Sequence, residues 1–221
     1  MRDLPRRTAT AIVYGAVVLL AIAAPPIVFW ILLAAVAVVG LAELVALRAG
    51  AASAALGALF LAGLVSLGLL RAYGSAGAHH AIAGELPVWL FLVLVPTWAA
   101  DVAAYLVGST VGRHKMAPRV SPGKTWEGTL AGLVACGLAA FGVGATFGLG
   151  RAIVAIVAIG LGIVGLGGDL FESSVKRRAG VKDSGSLLPG HGGVLDRLDS
   201  TVSGAVFVLM ALLLGTAAGL G

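Results

Sequence analysis

The chain has 221 residues, 59% of them hydrophobic and 11% charged, with a formal charge of +5 and a mean hydropathy of +1.04. A soluble domain carries about 25% charged residues, so this composition excludes a soluble nucleotide-binding module and indicates a polytopic helical membrane protein. The basic excess is not a nucleic-acid signal, because membrane proteins gather Lys and Arg in cytoplasmic loops, and the single Cys136 allows no disulfide within the chain.

In chain order, a basic start (Arg2, Arg6, Arg7) precedes a first apolar run at 8–24. It reads as a retained span rather than a cleaved leader, because a second run follows at once and AIAAPPIVFW is a poor cleavage site. Pro25 and Pro26 make the turn into the run at 27–47, and further runs lie at 52–72, 86–107, 127–149, 152–170 and 201–220. Each approaches the ~20 residues that cross the hydrocarbon core. Lipid cannot satisfy backbone polar groups, so the runs are helices. The expected fold class is all-α: a polytopic transmembrane helical bundle of about seven spans, forming one integral membrane domain over residues 1–221. Gly128/Gly132, Gly144/Gly148 and Gly215/Gly219 have the spacing of close helix contacts.

Charge sets the expected orientation. With the N-terminus in the cytoplasm, 13 of the 15 basic residues fall inside: Arg2, Arg6, Arg7, Arg48, Arg113, Lys115, Arg119, Lys124, Lys176, Arg177, Arg178, Lys182 and Arg197. Only Arg71 and Arg151 fall outside, and the C-terminus is placed there too. His79 and His80 lie in a short outside loop and read as merely exposed.

Two polar cytoplasmic segments remain, at 108–127 and 173–200. Asp169 ends the sixth run, with Glu172 one turn on, and Asp196 and Asp199 follow at i and i+3, on one helix face. Carboxylates at a membrane edge are costly and suggest function. Converging from two helices they suit a hard cation such as Mg²⁺; equally, they could pair with Lys176, Arg177 or Arg197 at headgroup level. PGHGGVLD offers flexible backbone N–H groups to phosphate oxygens. SPGKTWEG lacks Walker A spacing, yet Ser121, Lys124 and Thr125 precede a helix start, where anions are favoured. Lys176, Arg177, Arg178 and Lys182 can bind anionic headgroups. Acids, bases and a glycine loop at one face together suggest phosphoryl or nucleotidyl transfer onto a lipid.

The stretch SSVKR, then Lys182-Asp183, then LPGHGGVLDRLD resembles the signature of phosphatidate cytidylyltransferases, also called CDP-diacylglycerol synthases. SPGKTWEG and WAADVAAYLVG resemble two further motifs of that family, and so does the start, RRTAT with a span ended by a proline pair. Members are generally longer, with eight or nine spans; Gly123 stands where a basic residue is common and Ala100 where Asn is common. The resemblance implies that CTP and phosphatidate give CDP-diacylglycerol and pyrophosphate, for phospholipid synthesis. It implies Asp169, Asp196 and Asp199 as metal ligands for Mg²⁺, with a second cation in the same cluster. Lys124, Lys176, Arg177 and Lys182 would clamp phosphates, and Ser121 and Thr125 would donate hydrogen bonds. Asp183, His191, Gly192, Gly193 and Arg197 complete the substrate-binding set. His191 is expected to contact phosphate or order the loop rather than bind metal. Asp101, with Tyr105 one turn away, is expected to wall the site, and Glu127 to cap a helix or hold Lys124. The implied setting is a bacterial inner membrane with the site facing the cytoplasm, membrane lipid around it, no nucleic-acid partner, and a homodimer left open.

Two other readings stay in view: a CTP-dependent polyprenol or phytol kinase, and a non-catalytic lipid-binding or transport protein. A product assay separates the first. Internal pseudo-symmetry would favour a transporter, and loss of an aspartate would favour an inactive homologue; none is lost.

Overall fold

The computed structural model describes residues 4–76, 86–185 and 192–218. Among them are seven helices and one hairpin: α1 (Leu4–Ala23), α2 (Pro26–Leu47), α3 (Ala51–Ala76), α4 (Val88–Thr110), β1 (Lys115–Ala117), β2 (Ser121–Thr125), α5 (Trp126–Phe147), α6 (Arg151–Arg178) and α7 (Leu195–Ala217). Six of them, α2 to α7, are long and apolar enough to cross a membrane; the apolar stretch of α1, Val13–Ala23, is shorter. The chain is an integral membrane protein built as a helical bundle.

Apolar side chains lie on both sides of each helix. Inside, Phe60, Leu70, Leu90, Leu92, Val157, Leu161, Val202 and Val208 form the core. Outside, Leu20, Val38, Val45, Leu138 and Ile159 are exposed, as a surface in contact with acyl chains requires. Helix α7 is central, packing on both α3 and α6, while α4 pairs with α5. Small residues permit these approaches: a Cβ on Gly128 of α5 would lie 2.6 Å from the Ala104 carbonyl of α4.

The helices alternate so that the polar segments share one end of the bundle. Near the end of α3, Arg71 donates to the carbonyls of Ile22 (2.8 Å) and Ala24 at the α1–α2 turn, over the Phe29 ring. At the opposite end, Glu43 of α2 meets the start of α7, and Arg177 of α6 meets the hairpin. This is the separation that the charge pattern anticipates.

Three features differ from the expectation. Segment 108–127 contains a short antiparallel hairpin, with Lys115 opposite Thr125 and Ala117 opposite Ser121 across a bulge. Strands this short, carrying a proline each side of the turn, leave no alternating pattern to read. Helix α6 continues past the sixth apolar run to Arg178, because three basic residues in its last turn complement the helix dipole and Gly180 at φ 73° closes it. Helix α7 begins at Leu195, ahead of the seventh run, so Asp196 and Asp199 lie in its first turns.

Candidate active site

A cavity of about 680 Å³ opens beside the hairpin, between α4, α5 and α6. Lys115, Ser121, Lys124 and Thr125 line it at the hairpin, Asp169 lines it from α6, and farther along the helices Leu133, Cys136, Leu161 and Leu166 line it together with Thr97 and Asp101. Of the expected site residues, Asp101, Ser121, Lys124, Thr125 and Asp169 line it; Tyr105 and Ser200 do so as well. The free Cys136 is buried, as a small apolar packing residue would be.

The hairpin is what delivers the hydroxyl and the lysine. Its closing strand runs directly into α5, so Lys124 projects at the end of β2 and pairs with Asp169 of α6. Thr125 is the N-cap: its Oγ1 accepts from the Gly128 backbone N–H at 3.2 Å. Its hydroxyl oxygen therefore holds the helix start. Glu127 accepts from His114, through Nδ1 at 2.6 Å and through the backbone N–H at 3.3 Å, rather than holding Lys124. Arg177 braces the same hairpin, donating from Nε to the Val120 carbonyl at 3.1 Å and from Nη1 to the Val181 carbonyl at 2.7 Å.

The acids divide into two groups. Asp169 accepts from Ser173 Oγ at 3.3 Å besides its pairing with Lys124. Asp199 accepts from the Ser200 backbone N–H at 2.7 Å. It does not line the cavity, but the charges of Asp169, Glu172 and Asp101 act on it. Asp101 feels Asp169, Lys124 and Arg197.

Asp196 belongs elsewhere. Its Oδ1 pairs with Lys176 Nζ at 2.5 Å, and its Oδ2 accepts from the backbone N–H groups of Ser184 (2.9 Å) and Gly193 (2.7 Å) and from Ser184 Oγ (3.0 Å). Lys176, only 7% exposed, also pairs with Glu172 at 3.0 Å. Lys176 thus joins α6 to α7 and is absent from the cavity lining. Gly192, at φ 81°, packs against Asp196 and Asp183, and Lys182 and Asp183 are exposed. His191 lies outside the described residues.

The i and i+3 spacing therefore does not bring Asp196 and Asp199 to one point, since each meets different partners on α6 and in the loop. Among the described residues, no three acid, imidazole or thiolate side chains stand close enough to form a metal-binding group as they are. Asp169 and Asp199 carry the oxygen donors a hard divalent ion takes, and Asp169 is paired with Lys124. Asp196 could join only by releasing Lys176.

The sequence reading missed Glu43. This buried acid of α2 accepts from the backbone N–H groups of Val194 (2.9 Å) and Leu195 (3.0 Å) and from Ser184 Oγ (2.9 Å). Its only signal was one charge in an otherwise apolar run.

Residues 75–214 match the profile of the cytidylyltransferase family. Over 128 residues, 57% of its length, the chain is 44% identical to a Mycobacterium bovis protein named phosphatidate cytidylyltransferase, 42% of which is covered. A Brucella suis protein of the same name is 43% identical over 158 residues, 67% of this chain and 56% of that one. One from Haemophilus influenzae is 42% identical over 127 residues, 53% of this chain and 43% of that one. The chain spans about half the length of the curated relatives it matches.

Proposed function

We propose that this chain, which belongs to the cytidylyltransferase family, transfers a cytidylyl group from CTP to phosphatidate, giving CDP-diacylglycerol and pyrophosphate. The observation that carries the reading is the cavity: a wall with Lys124 and Asp169 adjoins one of mixed lining, Leu133, Leu161 and Leu166 beside Thr97 and Asp101, within a membrane bundle. A polyanionic headgroup and a hydrocarbon chain could occupy it together. The relatives' shared name agrees with this substrate pair.

A phosphate oxygen of phosphatidate attacks the α-phosphorus of CTP. The bond from that phosphorus to the bridging oxygen of the β-phosphate breaks, and pyrophosphate leaves with the electron pair. Little covalent work falls to the protein, which aligns the two phosphates and offsets their charge. Lys124 would hold the lipid phosphate, since it stands just before the membrane helix α5, with Ser121 donating. Lys182 and Arg197 would meet the nucleotide. Mg²⁺, alone or with a second cation, would be held by Asp169 and Asp199 with Asp101 beside them, and would neutralise phosphate charge. Lys176 and Asp196 would act by fixing α6 against α7.

The site is proposed to face the cytoplasm, where CTP is, in a bacterial inner membrane. Ser184 is buried, so the topology is best probed at the exposed Lys182. Lys182→Cys in a Cys136→Ala background should react with an impermeant thiol reagent only after cells are opened; labelling of intact cells would reverse the orientation.

The reaction is tested with detergent-purified protein, phosphatidate, Mg²⁺ and CTP labelled at the α-phosphorus. Label should enter the lipid phase with one pyrophosphate released per lipid labelled. Transfer of label from the γ-position instead would make the protein a lipid kinase, and no lipid label from either position would reject both.

A further inference from the structure

Helix α7 carries Asp196 and Asp199 in its first turns but has no cap of its own: Val194 stands at the N-cap and supplies no side-chain hydrogen bond. The orphan N–H groups of a helix start need acceptors. Here they find one on α2, 151 residues away in sequence, in the Glu43 carboxylate. One oxygen of Glu43 takes the Val194 N–H, and the other takes the Leu195 N–H together with Ser184 Oγ. A negative group at a helix N-terminus is also favoured by the helix dipole.

The contact ties Ser184 to the start of α7. Gly185 and Gly193, next to Ser184 and Val194, pack closely on the carboxylate. A Cβ on Gly185 would come 2.7 Å from Glu43 Oε1, and one on Gly193 would come 2.6 Å from Glu43 Cδ. Glu43 is 8% exposed, does not line the cavity and lies outside the segment that matches the family profile. It has no route to substrate except through Ser184 and α7.

We propose that Glu43 is a positioning residue, which caps α7 from α2 and fixes Ser184 against the start of α7, and so sets Lys182 and Arg197 where they meet the nucleotide. This rests on the cytidylyltransferase reading above. If only a fraction of molecules hold Ser184 and the start of α7 correctly, the apparent affinity for CTP falls by that fraction. A merely structural role behaves differently, since a smaller folded fraction lowers turnover and leaves the Michaelis constant unchanged.

The test is Glu43→Gln, which keeps size but leaves one acceptor oxygen and turns an NH₂ toward N–H or O–H donors. Its KM for CTP should rise about ten-fold, with KM for phosphatidate within about two-fold. Hydrogen exchange should quicken at the Val194 and Leu195 amides, with the apolar part of α7 still protected. Ser184→Ala removes one of the three bonds together with the contact of the same hydroxyl to Asp196, leaves both carboxylates in place and should give a smaller rise; it serves if Glu43→Gln does not fold. Unchanged KM for CTP with unchanged exchange, or a fall in kcat alone, would overturn the proposal. Absence of CDP-diacylglycerol from the unaltered protein would overturn the reaction instead, while the exchange experiment would still report on the cap.

Discussion

Lys124 and Lys176 each hold an aspartate, and the two pairs show opposite uses of the same chemistry. Lys124 pairs with Asp169 at a cavity wall, where each side chain keeps about a quarter of its surface exposed. Lys176 sits between Glu172 and Asp196, all three nearly enclosed, in a network that runs through Ser184 to Glu43. The first pair can open to a phosphate, because water or ligand can replace either partner. The second cannot give up Lys176 without leaving two enclosed carboxylates unmatched. One polar end of the bundle therefore contains a partly exposed ion pair at a cavity wall and an enclosed network that joins α6, α7 and α2.

Six substitutions bear on that contrast, taken from the largest expected effect. Asp169→Asn and Asp199→Asn should each lower turnover by about a thousand-fold or more while the protein still inserts and melts normally, on the scale of losing a main electrostatic contact to the transition state. Excess chelator should stop the unaltered enzyme as well. Retained activity in chelator would remove the metal from the cavity region.

Lys176→Ala should destabilise the fold by about 3–5 kcal/mol, the cost of breaking a buried pair from one side. The readout is denaturation in detergent. A variant with normal stability and lost turnover would move Lys176 out of the network and into the chemistry.

Lys124→Ala should do the reverse, leaving stability nearly intact and raising KM for phosphatidate. One charge-assisted contact is worth about 1.5–3 kcal/mol, or roughly ten-fold or more. Lys182→Ala should raise KM for CTP by a similar factor; the opposite pattern would exchange the two phosphate positions.

Thr125→Ala is the smallest, at about 1 kcal/mol of stability from the lost N-cap. Measured next to Lys124→Ala, it separates a cavity-lining residue that shapes the hairpin from one that meets ligand. An effect on KM for phosphatidate as large as that of Lys124 would place the Thr125 hydroxyl on the substrate.

Much of the architecture is legible in the order of residues alone. Apolar runs at 27–47 and 127–149 correspond closely to α2 (Pro26–Leu47) and α5 (Trp126–Phe147), because a span must be apolar along its length whatever it packs against. The grouping of polar segments at one end follows from charge for a similar reason. Less legible are the ends of α6 and α7, where helix continues into polar sequence, and the hairpin, where strand forms without alternation.

By itself, then, the sequence determines the membrane bundle, the polar ends of its helices and the family to which the motifs belong. These depend on composition and order along the chain. Only the tertiary structure decides which charge does what. Asp196 and Asp199 are one turn apart, yet one pairs with Lys176 and the other accepts from the Ser200 backbone N–H and feels the charge of Asp169. Glu43 reads as a stray charge in a span until α7 is set against it. Charge interactions depend on distance and burial, and both are set by which helices meet, a property that spacing along one helix does not contain.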